Sequence, residues 1–175
     1  AVKVKYTGEA GSGREVEADL TGDNTVNISG AESLVAKVSY VAADVDISRI
    51  ESTDQTMTAK LEPVDSSDNT VDNITLSQDT AEIKASLYHT KKVPLTVNIT
   101  GDPPAGYRYE GIKNDDTVVL RGSEAALRDI TSVSTEYIDI SGLTATTEVK
   151  LTLVLPDGVE LSSEQKTPTV QIFIE

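Results

Sequence analysis

Apolar and polar residues alternate with a period of two along most of this chain, which is the pattern of half-buried β-strands. The alternation is regular from Val2 to Tyr6 and again from Val149 to Leu155. Strands are predicted at Val2–Tyr6, Thr25–Ser29, Val41–Ile47, Thr56–Pro63, Ala81–Leu87, Thr117–Arg121, Thr147–Pro156 and Thr169–Ile174. Only one Phe and no Trp are present, so Val, Ile and Leu form the core, which suits β-sheets.

Two diverged copies of one unit make up the chain. The stretch Val118–Leu143 has a counterpart about 92 residues earlier, at Val26–Ile50. Asp139-Ile140-Ser141 aligns with Asp46-Ile47-Ser48 after a slip of one residue. A repeat of this kind indicates tandem domains, and we assign residues 1–88 to the first and 89–175 to the second. Tyr88–Lys92 is predicted to be the connection between them, with a limited hinge.

Each copy has one short helix in its middle. Gly30 and Gly122 precede these helices, and we expect them to permit a sharp turn from strand to helix. Ser123 is a suitable N-cap. At about nine residues each, the helices are too short to be stable alone and must pack on a sheet. The predicted fold class is therefore all-β with one short helix per domain, the two domains lying end to end.

The first copy differs from the second by a longer polar loop at residues 64–73. The second copy has a tight turn, Pro156-Asp157-Gly158, at the same place. The loop is rich in Asp, Asn and Ser, whose oxygens suit Ca²⁺. It lacks the ligand spacing of an EF-hand, however, and a solvated loop is the simpler interpretation. We therefore predict no metal site and no cofactor.

Charge and cysteine content exclude several functions. The chain has 15 basic and 29 acidic residues, a net charge of −14, and both halves are acidic. Nucleic acid and anionic lipid are therefore unlikely partners, since neither half can neutralise phosphates over a wide surface. The absence of cysteine excludes disulfides, thiolate metal sites and a Cys nucleophile.

Catalytic chemistry has little support in the sequence. His89 is the only histidine, and it falls in the predicted connection between the domains, so a Ser-His-Asp arrangement is not indicated. We predict no catalytic residue. Tyr107, Arg108 and Tyr109 are instead a candidate protein-contact patch, because Tyr and Arg are enriched at interaction hot spots. The alternative is that Tyr107 packs on the preceding turn as a structural residue.

The second copy resembles a YbbR domain at nearly every landmark of that family. The landmarks are the Val93-Pro94 opening strand, the Gly101–Tyr107 turn, the Gly122-Ser123-Glu124 helix start, the Asp139–Leu143 strand end and the Leu155–Val159 turn. The first copy keeps Gly8, Gly30 and Glu32, but has Arg49 in place of the glycine after the Asp-Ile-Ser triplet. It also lacks the Pro pair and the Tyr after Gly13. These residues are marks of a scaffold and not of a catalyst.

The resemblance implies a function that is not enzymatic. Tandem YbbR domains lie behind an N-terminal membrane helix, on the outer face of the bacterial cytoplasmic membrane. Their best-known architecture is the regulator of the membrane diadenylate cyclase, where they modulate cyclic-di-AMP synthesis. The expected partners are that cyclase or a cell-envelope ligand. Contact with the membrane would occur only through an anchor helix absent from this chain.

A structural spacer or adhesin-type stalk is the alternative function. Tandem β domains with acidic surfaces serve as stalks, and the loss of family residues from the first copy is compatible with that role. Sequence outside this chain would separate the two hypotheses. One N-terminal membrane helix favours the regulator, whereas a long array with a C-terminal wall-anchoring signal favours the stalk.

Overall fold

A computed structural model describes residues 1–175, and the chain divides into two compact units, Ala1–Leu87 and Tyr88–Glu175. Strands predominate in both units and each unit has one short α-helix, so the predicted β-rich fold is confirmed. No helix combines the length and the apolar character that a membrane crossing requires.

The first unit is built on a sheet whose opening strand pairs in parallel with the strand after the helix. Its elements are β1 (Val2–Thr7), β2 (Arg14–Leu20), β3 (Ile28–Ser29), α1 (Glu32–Val35), β4 (Tyr40–Asp46), β5 (Gln55–Val64), β6 (Thr75–Leu76) and the first part of β7 (Thr80–Thr100). Strand β1 pairs in parallel with β4, and β4 and β5 then continue the sheet antiparallel toward β7. Strand β2 also pairs with β7, while β3 and β6 form a separate two-stranded ribbon.

The second unit repeats the plan with more strand pairing. After the remainder of β7 it contains β8 (Tyr109–Asn114), β9 (Thr117–Gly122), α2 (Glu124–Arg128), β10 (Val133–Asp139), β11 (Thr147–Lys150), β12 (Leu153–Val154), β13 (Val159–Leu161) and β14 (Thr169–Ile174). Here β7 pairs in parallel with β10 and antiparallel with β9. Strands β11, β14 and β8 form a three-stranded antiparallel sheet.

Each unit has its own apolar core. The buried residues of the first include Val41, Val45 and Ile83 together with four alanines, so its side chains are small. The core of the second is built mainly from larger residues, such as Leu120 and Ile172, neither of which is exposed to solvent. Because larger side chains remove more apolar surface from water, burial of the core contributes more to the folding free energy of the second unit than to that of the first.

Several local predictions were wrong, and each has a physical reason. The helices have four and five residues, not nine, because the next strand begins soon after them. Tyr88–Lys92 is not a hinge-like linker but part of β7, and residues 89–94 pair with β9.

The predicted strand Thr147–Pro156 is divided, since β11 pairs with β14 whereas β12 pairs with β10. Of the predicted strand Thr25–Ser29, only Ile28 and Ser29 are paired as a strand.

The glycines before the helices are required for close packing and not for backbone freedom. Neither Gly30 nor Gly122 has a positive φ. A Cβ on Gly122 would lie 2.7 Å from the carbonyl oxygen of Gly158, and one on Gly30 would lie 3.0 Å from that of Asn73. The backbone that packs against each glycine, in the turn before β13 and in the loop before β6, therefore leaves little room for a side chain.

Replacing Gly122 by alanine should destabilise the second unit by about 1–3 kcal/mol, because the backbone must shift to accept the methyl group. The measurement is urea unfolding of the whole chain, followed by tyrosine fluorescence. Gly142→Ala is the matched control, since a Cβ there meets no atom within 4 Å. Equal stability of the two variants would contradict the packing argument.

Candidate contact surface

The Tyr107-Arg108-Tyr109 segment lies on the surface with its backbone held in place. The Tyr107 amide donates to the Pro104 carbonyl at 3.0 Å, and Arg108 exchanges two backbone hydrogen bonds with Glu175, at 2.6 and 2.9 Å. The tyrosine side chains are 45% and 39% exposed, and the Arg108 guanidinium pairs with Glu110. The segment thus presents two aromatic rings and one cation on a fixed backbone, and its contact role stays a prediction.

The first unit has no equivalent of this segment. Its aligned residues are Arg14, Glu15 and Val16, which belong to β2, and Val16 packs against the core. A contact made through the aromatic rings would therefore be specific to the second unit.

Tyr137 is a further exposed aromatic residue, which the sequence pattern did not single out. Alternation from Val133 and Thr135, both buried, would place Tyr137 in the core, yet it is 73% exposed. The reason is a β-bulge, because the pairing of β10 with β7 shifts register between Ser134 and Tyr137. Val154, on the adjacent β12, is also exposed.

The bulge explains the one-residue slip between the two copies. In the first unit, β1 and β4 pair without interruption from Val2 to Thr7, so the extra residue of the second copy falls in the bulge. Asn98 fixes it, since its backbone amide donates to Thr135 Oγ1 at 3.0 Å and its side-chain amide donates to the Thr135 carbonyl at 2.9 Å. The slip was the sequence signal that could have located Tyr137.

The only histidine borders a small cleft beside α2. The cleft has a volume of about 260 Å³ and is lined by His89, Thr90, Lys91, Glu124, Leu127 and Arg128. Lys91 Nζ donates to the carbonyls of Leu127 and Arg128, at 2.9 and 3.3 Å. Lysine in this position satisfies carbonyls at the helix C-terminus and complements the helix dipole, so Lys91 has a structural role.

The polar loop at residues 64–73 is ordered by its own hydrogen bonds. Asp65 Oδ1 accepts from the backbone amides of Asn69 and Ser67, at 3.0 and 2.8 Å, and these bonds lower the pKa of Asp65. The Tyr40 hydroxyl donates to Asp68 Oδ1, a bond that raises the pKa of Tyr40. The chain has no group of three or more His, Asp or Glu side chains arranged to hold a metal ion.

Both units share a structural element in which a glycine lies over an aspartate. Gly8 and Gly101 end the opening strands with φ of +77° and +81°. A Cβ on either would lie 2.7 Å from Oδ1 of the facing aspartate, Asp46 or Asp139. That oxygen accepts the backbone amide two residues later, at 3.1 Å from Ser48 and 2.9 Å from Ser141.

The hydrogen bonds of this element favour the charged form of each aspartate. The side-chain and backbone bonds from Ser48 lower the pKa of Asp46, and those from Ser141 lower the pKa of Asp139. The Gly8–Asp46 and Gly101–Asp139 contacts thus lie where the end of each opening strand packs against the strand that follows the helix. They form a scaffold element.

Both units match one protein-family model. Residues 1–85 and 93–174 match the family described as YbbR-like protein. The chain belongs to the YbbR-like family. The predicted resemblance is thereby confirmed, and the chain contains two YbbR-like domains in tandem.

A curated relative supports a regulatory connection. The chain is 25% identical over 182 residues to the CdaA regulatory protein CdaR of Bacillus subtilis (strain 168), covering 99% of this chain and 36% of the relative. The YbbR-like chain therefore spans about a third of the length of that relative. The match connects this YbbR-like module with a regulatory protein and not with an enzyme.

Two solved structures are also similar. The solution structure of SuR18C from Streptococcus thermophilus is 24% identical, with a TM-score of 0.38, over 50% of this chain and 87% of that one. The crystal structure of a YbbR-like protein from Streptococcus pneumoniae TIGR4 is 13% identical, with a TM-score of 0.39, over 99% of this chain and 90% of that one.

The lowered pKa values of Asp46 and Asp139 predict a loss of stability in acid. Because the folded-state pKa lies below the ordinary value of 3.8, each carboxylate stabilises the fold above that value. The contribution is lost as pH falls through the folded-state pKa. Unfolding midpoints in urea, measured from pH 6 down to about pH 2.5, should therefore fall less steeply for the Asp46→Asn, Asp139→Asn double variant.

Asp157→Asn is the control for this measurement, because it removes one carboxylate from an exposed turn outside the glycine–aspartate element. It should keep the acid dependence of the parent chain. A double variant with the same acid dependence as the parent would contradict a stabilising role for the two aspartates.

Proposed function

We propose that these tandem YbbR-like domains are a non-enzymatic module of a membrane-anchored regulator of cyclic-di-AMP synthesis, acting by protein–protein contact. The observation that carries the proposal is the match to the CdaA regulatory protein CdaR along 99% of this chain. The residues that the two domains share are consistent with a non-enzymatic role. They are glycines, strand residues and an aspartate that accepts a backbone amide, and all of them build the scaffold. The proposed partner is a membrane diadenylate cyclase, as the family resemblance implies, or a cell-envelope ligand.

The proposed location is the extracytoplasmic face of the bacterial cytoplasmic membrane, with the anchor outside this chain. A test is straightforward because the chain has no cysteine. Lys166→Cys adds the one thiol of residues 1–175, on an exposed residue. A membrane-impermeant maleimide should label it in intact cells that carry the anchored full-length protein, beyond any labelling of the unsubstituted protein. Labelling only after cell lysis would contradict the proposed location.

The surface of the second domain supports contact with a protein and argues against nucleic acid. Tyr107 and Tyr109 are partly exposed beside the Arg108 cation, and residues of these types contribute most to many interfaces. The net charge of −14 repels a phosphate backbone. We therefore propose the Tyr107–Tyr109 segment as the contact surface for the regulatory partner.

A spacer or adhesin-type stalk is the second candidate. The first domain is compatible with it, because Arg14, Glu15 and Val16 stand there in place of the aromatic segment. In a stalk, any folded β module of the same length should substitute for these domains without loss of function.

Cyclic-di-AMP measured in cells that coexpress the cyclase and the anchored full-length protein distinguishes the two candidates. Excision of residues 1–175 should change the nucleotide level relative to the intact protein. Substitution of all three residues Tyr107, Arg108 and Tyr109 by alanine should reproduce at least part of that change. Tyr137→Ala, which removes an exposed ring elsewhere on the domain, is the matched control and should leave the level unchanged. A level that no variant alters would overturn the regulatory proposal.

A further inference from the structure

The first domain closes the backbone of an edge strand with a side chain. Strand β2 pairs with β7 and has no strand on its other side. There, the Tyr6 hydroxyl accepts from the Ala18 amide and donates to the Ala18 carbonyl, both at 3.3 Å. A tyrosine of β1 thus satisfies backbone groups of β2 that no strand covers.

The second domain has the same edge without this closure. Strand β8 takes the place of β2 and pairs with β14 alone. Ile99 takes the place of Tyr6, because each lies two residues before the glycine that ends its opening strand. An isoleucine side chain has no hydrogen-bonding group, so it cannot satisfy the backbone of β8. We call the side of β8 that faces away from β14 the free edge.

Three residues of β8 direct their backbone groups to the free edge. On β14, Ile174 faces β11, because its amide donates to Thr146 Oγ1 at 3.4 Å and its carbonyl accepts from the same hydroxyl at 3.5 Å. Ile172 and Val170 face the same way, since backbone groups alternate along a strand. The β8 residues opposite these three therefore direct their amides and carbonyls away from β14. They are Tyr109, Ile112 and Asn114.

The side chains around the free edge define what can pair with it. Ile99 and Ile112 pack on the core but are only half-buried, so part of their apolar surface stays in contact with water. Lys113 is exposed and forms no ion pair. A Cβ on Gly111 would meet no atom within 4 Å, so no side chain obstructs the approach to the edge at that point.

We propose that the free edge is a β-augmentation site for an extended segment of the regulatory partner, with apolar side chains toward Ile99 and Ile112 and a carboxylate beside Lys113. Main-chain hydrogen bonds give such sites their affinity, and alternate side chains give their selectivity. The apolar side chains would remove the remaining surface of the two isoleucines from water. Opposite charges on adjacent strands are favourable and like charges are not, so Lys113 selects an acidic segment.

The free edge continues the contact segment proposed above, since Tyr109 ends that segment and begins β8. This inference rests on the proposed function, because it specifies how the same partner binds. A second copy of this chain is a less favourable occupant, since both copies would carry a net charge of −14. A lysine on an edge strand also discourages pairing between identical edges.

A proline at position 114 tests the main-chain contact. The Asn114 amide faces the free edge, and an edge strand tolerates proline where its nitrogen faces solvent, so Asn114→Pro should leave the domain folded. The variant is made in the anchored full-length protein and compared with Asn114→Ala, which keeps the amide. The cyclase retained from gently solubilised membranes should fall by roughly fivefold or more for Asn114→Pro relative to Asn114→Ala, since a hydrogen bond is lost. Equal retention by the two variants would overturn the proposal.

Charge reversal gives a second variant that leaves the backbone unchanged. Lys113→Glu should also lower the amount of retained cyclase, because it would meet the carboxylate of the segment. Lys150→Glu is the matched control, since it makes the same change on β11, the opposite edge strand of this sheet. Equal retention by Lys113→Glu and Lys150→Glu would contradict the proposed occupant.

Amide exchange separates strand addition from contact through side chains alone. When the cyclase is bound, the amides of residues 109–114 that face the free edge should exchange roughly tenfold or more slowly, since new hydrogen bonds protect them. Protection that appears without the cyclase and grows with protein concentration would assign the edge to a second copy and would overturn the proposal.

The variants also separate this inference from the proposed function. If alanine at Tyr107, Arg108 and Tyr109 releases the cyclase while Asn114→Pro and Lys113→Glu retain it, strand addition is wrong and the regulatory contact stands. If excision of residues 1–175 leaves retention unchanged, the regulatory contact fails and this inference fails with it.

Discussion

The parallel pairing between the opening strand and the strand after the helix is the constraint on which each domain depends. It joins β1 to β4 in the first domain and β7 to β10 in the second. A parallel pair needs a long connection between its strands, and in each domain that connection contains two strands and the short helix. The glycine–aspartate element closes the far end of the pair in both domains.

The constraint also explains which residues the two diverged copies share. A glycine with a positive φ is required where the opening strand ends over the aspartate. The aspartate is required because its carboxylate accepts the amide of the serine two residues later. Gly30 and Gly122 are required because a neighbouring backbone approaches them closely. At these positions neighbouring segments approach each other so closely that few other residues could replace the ones present.

The fold class and the repeat could be predicted from the sequence, because alternation and self-similarity are local patterns. Pairing partners could not be predicted in this way. The stretch Thr147–Pro156 alternates as one strand, yet its two halves pair with different sheets. Tyr88–Lys92 lies at a domain boundary, yet its residues complete a sheet. Which strands meet depends on contacts distant in sequence, and a single sequence carries little information on them.

The surface was harder to predict than the core. Tyr107, Arg108 and Tyr109 were singled out by residue type, and the structure places them on the exposed surface. Tyr137 follows an alternating pattern that would bury it, and only the bulge beside Thr135 turns it outward. The one-residue slip between the two copies is the trace of that bulge in the sequence. It could be interpreted as a bulge only once the pairing register of β10 with β7 was known.

We propose that these domains act by contact with a membrane protein and not by chemistry. The most direct measurement is copurification of the diadenylate cyclase with the anchored full-length protein from gently solubilised membranes. Intact protein is compared with protein that lacks residues 1–175. If the domains make this contact, the intact protein should retain the cyclase, and excision should reduce the retained amount. Equal retention by both proteins would contradict it.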